Sequence, residues 1–245
     1  MLKLMGIGLV TIGSLATGGY FLFIRPRYQR WGATKVELER VMPGDHEVKE
    51  PTLAFTRAVT IRARPEEIWP WLVQIGYKRA GFYSYTTFEK QMGVPFTNID
   101  RIIPEYQQLK VGDTIPIRAG FAIPVKAIEP NRSLLLVGRD TNIGEVSWVF
   151  ELYPLSGGHT RLVTRANCSF PNWTLQSIFS RRPPRTAMSP SNLLRDLTMS
   201  LFFEPGSFLI LRKTLLGIKR RAEQASGQIS ESPTKIVQED RILSL

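Results

Sequence analysis

Between residues 113 and 168, short runs rich in β-branched and aromatic residues recur at nearly even intervals, each closed by a turn signal. The runs cover 113–118, 121–128, 133–139, 145–153 and 160–168. The breaks fall at Ala119-Gly120, Pro130-Asn131, Asn142-Ile143-Gly144 and Ser156-Gly157-Gly158. Spacing of this kind marks an antiparallel meander, since such short loops suit hairpins. Upstream, Ala54 to Ile61 reads as a further strand. Pro65 followed by Glu66-Glu67 opens a helix through Leu72, with negative charge where the helix dipole favours it. A second helical stretch runs from Tyr83 to Met92. Residues 170–192, with Arg181-Arg182-Pro183-Pro184-Arg185, form a long irregular insertion. Helix then follows from Leu193, breaks at Pro205-Gly206 and resumes from Ser207 to Glu223, with Phe208, Leu211, Leu215 and Ile218 on one stripe.

Together these elements describe an α+β, helix-grip fold in which a curved antiparallel sheet wraps a long C-terminal helix. That layout leaves an internal cavity, mainly apolar, with a few polar groups to fix orientation. The 245 residues suit one such domain, and 43% hydrophobic with 22% charged residues supports an ordinary core. The domain is placed at 52–225. It follows a connector at 31–51 that carries a short helix around Lys35 to Arg40, and it precedes a tail at 226–245, rich in Ser, Glu and Gln, that is expected to be disordered.

The other strong feature is the charge-free run of 21 residues from Leu4 to Ile24, bounded by Lys3 and by Arg25, Arg27 and Arg30. As a helix it spans about 31 Å, close to the hydrocarbon thickness of a bilayer. Residues 1–30 therefore read as one N-terminal transmembrane helix with a basic flank. Tyr20, Phe21 and Phe23 sit at the interface, and the arginines keep the domain on the cytoplasmic side. The competing reading is a cleaved signal peptide with Ala16-Thr17-Gly18 at its cleavage site. The net charge is +11, and residues 161–223 hold eleven Lys/Arg against Asp196, Glu204 and Glu223. A basic surface beside an anchor favours anionic lipid over nucleic acid, and a solvated helix with no specific partner is the plainer alternative. Cys168 is the only cysteine, which excludes an intrachain disulfide.

Several segments look familiar together: Ala63-x-Pro65-Glu66-Glu67-Ile68-Trp69-Pro70-Trp71-Leu72-Val73-Gln74-Ile75-Gly76-Tyr77, Arg79-Ala80-Gly81-Phe82-Tyr83-Ser84-Tyr85 and Val111-Gly112-Asp113. Trp148-x-Phe150-x-Leu152 and Thr160-Arg161-Leu162-Val163-x-Arg165 extend the likeness. Over roughly residues 31 to 223 the chain resembles the START-like SRPBCC superfamily, near its polyketide cyclase/dehydrase and lipid-transport members. The resemblance implies a holder of lipids, polyketides or other apolar molecules, of which only some are enzymes.

The aromatic wall of such a cavity would draw on Trp69, Trp71, Tyr83, Tyr85, Trp148 and Phe150, which could equally be plain core. Alternation along the strand puts Trp148, Phe150 and Leu152 on one wholly apolar face. Arg165 and Arg79 are the cations that could meet a ligand carboxylate or phosphate; Arg161 and Arg165 could instead be solvated. Glu151 and Asp113 could serve as acid or base if buried. His46 and His159 are the only histidines and have no partner at ligand spacing, so no metal and no cofactor is expected. The leading expectation is a membrane-anchored domain that binds or transports a hydrophobic or lipid-like small molecule, with the membrane as a further partner. The alternative is an enzyme of cyclase or dehydratase type. A third reading is an interaction module whose cavity is filled core.

Overall fold

The computed structural model describes residues 18–85, 98–140, 144–169, 201 and 203–242. Most of the Leu4–Ile24 run, most of the Tyr83–Met92 helix, the 170–192 insertion and the helix start at Leu193 lie outside these described residues. The six expected strands form one antiparallel sheet. They are β1 (Leu53–Ile61), β2 (Thr114–Arg118), β3 (Phe121–Glu129), β4 (Ser133–Asp140), β5 (Gly144–Leu155) and β6 (His159–Ser169), in the order β1-β6-β5-β4-β3-β2. Five strands thus follow as a meander and β1 returns to pair with the last. Register shifts between Pro116 and Arg118 and between Val125 and Ala127 mark bulges, which bend and twist β2 and β3.

Four α-helices are described: α1 (Arg25–Gln29), α2 (Lys35–Glu39), α3 (Pro65–Val73) and α4 (Glu204–Ile242). Pro65 supplies the first turn of α3, and the Arg64 N–H donates to Glu67 Oε2 at 2.6 Å. α3 and α4 pack on the inner face of the sheet around Ile61, Ile68, Leu72, Leu215 and Ile218, all fully buried. Sheet and C-terminal helix together make the helix-grip arrangement that the sequence implies.

The connector does more than connect. It covers the outer face of the sheet, where Met42 packs on Ala58, Leu135, Val149 and Val163. The strap begins with a reciprocal cap at α2: Glu37 N–H donates to Thr34 Oγ1 at 3.3 Å, and Thr34 N–H donates to Glu37 Oε2 at 2.7 Å. At the Pro43-Gly44 turn the chain lies so close to the sheet that a Cβ on Gly44, whose φ is +87°, would meet Leu135 Cδ1 at 2.6 Å. Only glycine fits there.

Three expectations change. Pro205-Gly206 does not interrupt the last helix but lies in its first turn, where a missing N–H costs nothing. The helical backbone also runs past Glu223 to Ile242, across Gly227 and Pro233, which disfavour helix locally. Finally, Tyr83 has φ +57°, so the chain at Tyr83–Tyr85 is bent where a helix was expected.

Among the described residues no helix is long and apolar enough to cross a membrane. Of the Leu4–Ile24 run, Gly18–Ile24 is described, and Leu22, Phe23 and Ile24 are each more than half exposed. Directly after them, α1 is fastened to the start of α4. The Glu204 carboxylate, 1% exposed, accepts from Arg25 Nε at 2.8 Å and Nη2 at 2.7 Å, from Tyr28 Oη at 3.0 Å and from Gln29 Nε2 at 3.2 Å.

Candidate functional site

Strand alternation and register decide which side chains face α4. Phe150 stands opposite Thr164, Trp148 opposite Ala166, and on β1 Phe55 and Arg57 pair with Ala166 and Thr164. The inner face of the sheet is therefore aromatic and aliphatic, with Trp148 and Phe150 on the central strand β5 and Phe55 on the edge strand β1. The Trp148 and Phe150 rings lie 4.8 Å apart. The indole Nε1–H of Trp148 donates to Thr164 Oγ1 at 2.9 Å, and that hydroxyl donates to Val149 O at 2.9 Å. This relay fixes the indole plane. Phe150 is fully buried, whereas Trp148 remains partly open. Cys168 is on the same face, and burial pushes its thiol up to about 12, which leaves it a small apolar group rather than a nucleophile.

Among the strand residues whose side chains are described, Arg57 is the one charged group that is fully buried, and it lies on this inner face. It is 0% exposed. Its Nε–H donates to Tyr28 O at 3.1 Å and its Nη1 to Ser207 O at 3.4 Å, while Nη2 is buried with no partner. The guanidinium lies over Phe55 at 4.0 Å and over Phe208 at 5.2 Å. Burial pushes it down to about 9, still protonated at neutral pH.

The site residues expected from sequence separate into three groups. Trp148 and Phe150 come together on the inner face. Trp71 and Tyr83 also meet, edge to face at 6.0 Å, but as part of a packed corner. There Tyr83 Oη donates to Trp71 O at 3.0 Å and accepts from Gln74 Nε2 at 3.0 Å, beneath Arg221, whose guanidinium is 4.3 Å from the ring. Arg79 serves the same corner: its Nη2 donates to Val73 O at 2.7 Å and it lies over Tyr106 at 4.6 Å, with Nε buried and unpartnered. Tyr85 is 40% exposed, under Lys213.

Arg165 does not reach the inner face. It points into the connector, where Nε donates to Thr56 Oγ1 at 2.9 Å and Nη1 to Arg40 O at 2.8 Å and Asp45 Oδ2 at 2.7 Å. Nη2 donates to Glu37 O at 2.7 Å and Leu38 O at 3.1 Å. The β6 register opposite Thr56 places it outward, so it is neither solvated nor available to a ligand between sheet and helix. Glu151 shares that outer face and accepts from Tyr153 Oη. Asp113 accepts from the Lys110 N–H at 3.0 Å in an exposed turn, and His159 bonds Gly157 O at 2.9 Å; none of these adjoins the inner face. The cations of α4 are largely engaged as well. Arg221 is buried against Asp100, Lys219 donates to Thr60 O at 2.7 Å, and Arg212 lies over Trp31 at 5.2 Å.

An open cleft of about 510 Å³ lies beside the β2–β3 hairpin, lined by Tyr77, Lys78, Pro116, Arg118 and residues 119–122. Its volume is in the range of small-molecule sites, yet it includes none of the site residues expected from sequence.

No protein-family model matches the chain, and no curated relative matches it. Solved structures do. A protein from Mesorhizobium loti, MLL2253, is 15% identical over 69% of this chain and 97% of its own, with a TM-score of 0.33. DynU16, from the dynemicin biosynthetic locus, is 14% identical over 66% of this chain and 45% of its own, at 0.33. The di-domain ARO/CYC StfQ of the steffimycin biosynthetic pathway is 10% identical over 71% of this chain and 51% of its own, at 0.38. All three scores are below 0.5 and carry no inference about activity. The helix-grip assignment rests on the strand order, the registers and α4.

Arg57 is the residue that the sequence pattern could have revealed. In Leu53-x-Phe55-x-Arg57-x-Val59-x-Ile61 it is the lone charge on an otherwise apolar face. An arginine at that position has to be buried against something.

Proposed function

We propose that the chain binds or carries a hydrophobic or lipid-like small molecule between its sheet and α4, tethered to a membrane by the Leu4–Ile24 segment with the domain on the cytoplasmic side. The observation that carries this reading is the inner face itself. It is aromatic at its centre, free of described carboxylates and histidines on its strands, and partly open at Trp148. Such a surface suits an apolar ligand and supplies no described acid–base pair for cyclase or dehydratase chemistry. The charge-free run, with exposed Leu22, Phe23 and Ile24 beside Arg25 and Arg27, supports the anchor.

Organic extraction of the purified full-length protein followed by mass spectrometry tests the ligand. A retained apolar species, depleted in Trp148→Ala, is expected; a protein that neither retains nor exchanges any apolar molecule refutes the reading. Alkaline carbonate washing of membranes tests the anchor, which fails if the protein moves to the supernatant.

A further inference from the structure

We propose that Arg57 receives the anionic head of the ligand, so that the molecule held is an amphiphile with a carboxylate or phosphate group and an apolar chain lying along Phe55, Trp148 and Phe150. The inference rests on the ligand-binding reading above and adds the chemical class of the ligand.

Of the other arginines packed into the domain, buried Arg165 pairs with Asp45, buried Arg221 with Asp100 and half-buried Arg161 with Glu37, whereas half-buried Arg79 shares the lack of an ion pair and has a buried, unpartnered Nε. Arg57 is more buried than any of them, at 0% exposure, and forms no ion pair. Glu204 is close enough to favour its charge, but Arg25, Tyr28 and Gln29 donate to the Glu204 oxygens. Two backbone carbonyls and two aromatic faces are what the guanidinium has, and its Nη2 has no acceptor at all. A buried cation without a counter-charge is costly, and a buried donor without an acceptor adds to that cost. Cation–π contact offsets only part of it. An oxyanion at Nη2 removes both defects at once, through a charge-assisted bond in a low-dielectric interior.

The position fits as well as the charge does. Arg57 is directly opposite Thr164, whose hydroxyl holds the indole of Trp148, so the head-receiving group on β1 and the aromatic pair on β5 face the same side across β6. The protonated state at neutral pH agrees with this role, and a bound anion raises it further.

The test uses the full-length protein and energy transfer from tryptophan to parinaric acid or its methyl ester, with hexadecyl phosphate and hexadecanol as competitors. The acid is expected to bind about 10- to 100-fold more tightly than the ester, the scale of one bond to a charged group. Hexadecyl phosphate should compete better than hexadecanol by a similar factor. Arg57→Met should bring acid and ester to within about 2-fold of each other, and Arg57→Lys should retain part of the preference. Equal binding of acid and ester by the unmodified protein overturns the role of Arg57 and leaves the ligand-binding reading standing; no binding of any of the four overturns both. Because the acid-to-ester ratio is read first on the unmodified protein, a variant that fails to fold does not protect the proposal.

Discussion

Replacing Arg165 by methionine separates a clamp from a ligand contact. The guanidinium makes five hydrogen bonds at 2.7–3.1 Å, three to backbone carbonyls of the strap, one to Asp45 and one to Thr56, with its side chain 10% exposed. Methionine keeps most of the stem volume and removes the fork. It leaves the Asp45 carboxylate, only 19% exposed, with the Met42 N–H but no cation, and removes the guanidinium from three carbonyls. Removing one member of a buried ion pair costs about 3–5 kcal/mol. For a domain of this size that lowers the melting temperature by on the order of 10 °C. Urea or thermal unfolding of the full chain measures the loss. Arg165→Lys should recover little of it, since an ammonium cannot serve five acceptors spread over a plane. Ligand affinity of the folded variant should be unchanged. A variant within about 1 kcal/mol of the parent, or one that loses its ligand without losing stability, would refute the placement of this side chain on the outer face.

Two further outcomes follow from close packing and from charge. A Cβ on Gly217 would lie 2.6 Å from Tyr83 Cβ and 2.7 Å from Tyr83 O, so Gly217→Ala should destabilise by about 1–3 kcal/mol in urea titration, although alanine is the better helix former by about 1 kcal/mol; a stabilised variant refutes the contact. Burial opposes the charge on Glu37, but its bonds from Arg161 and from the Thr34 N–H outweigh that and hold the carboxyl below the usual range, so its contribution is present above about pH 4.3 and is lost as pH falls through the lower folded value. The urea midpoint should therefore drop on acidification, and Glu37→Gln should flatten that drop; identical pH slopes in the two proteins would count against the pairing.

The strands were legible because apolar runs of strand length are closed by turn residues: the run at 133–139 is β4 at Ser133–Asp140, and 160–168 is β6 at His159–Ser169. Which face a strand residue serves was harder to read, because both faces are buried. Val149 and Val163, apolar on the side away from α4, were the signal that something covers the outside. The strap that covers them is held by tertiary contacts through Met42 and Gly44 that no local pattern encodes. Arg165 and Arg57 show the result. Arg165, which alternation leaves open to a ligand or to solvent, belongs to the strap, and Arg57 takes its place in an alternating apolar strand from tertiary packing. Pro205-Gly206 was ambiguous for a local reason, since the same pair can end a helix or begin one.

The fastening of α1 to Glu204 bears on where this chain can be cut. Tyr28 is buried, its carbonyl receives Arg57, and Arg25 grips the first residue of α4 with both nitrogens of its fork. A fragment starting at residue 31 would lack all three groups, so the basic stretch from Arg25 is also the first piece of the domain. A shortened version is better begun ahead of Arg25, where the exposed Leu22, Phe23 and Ile24 can be traded for polar residues without opening that joint. Held so, residues 25–29 and the head of α4 should open as one unit rather than fray separately.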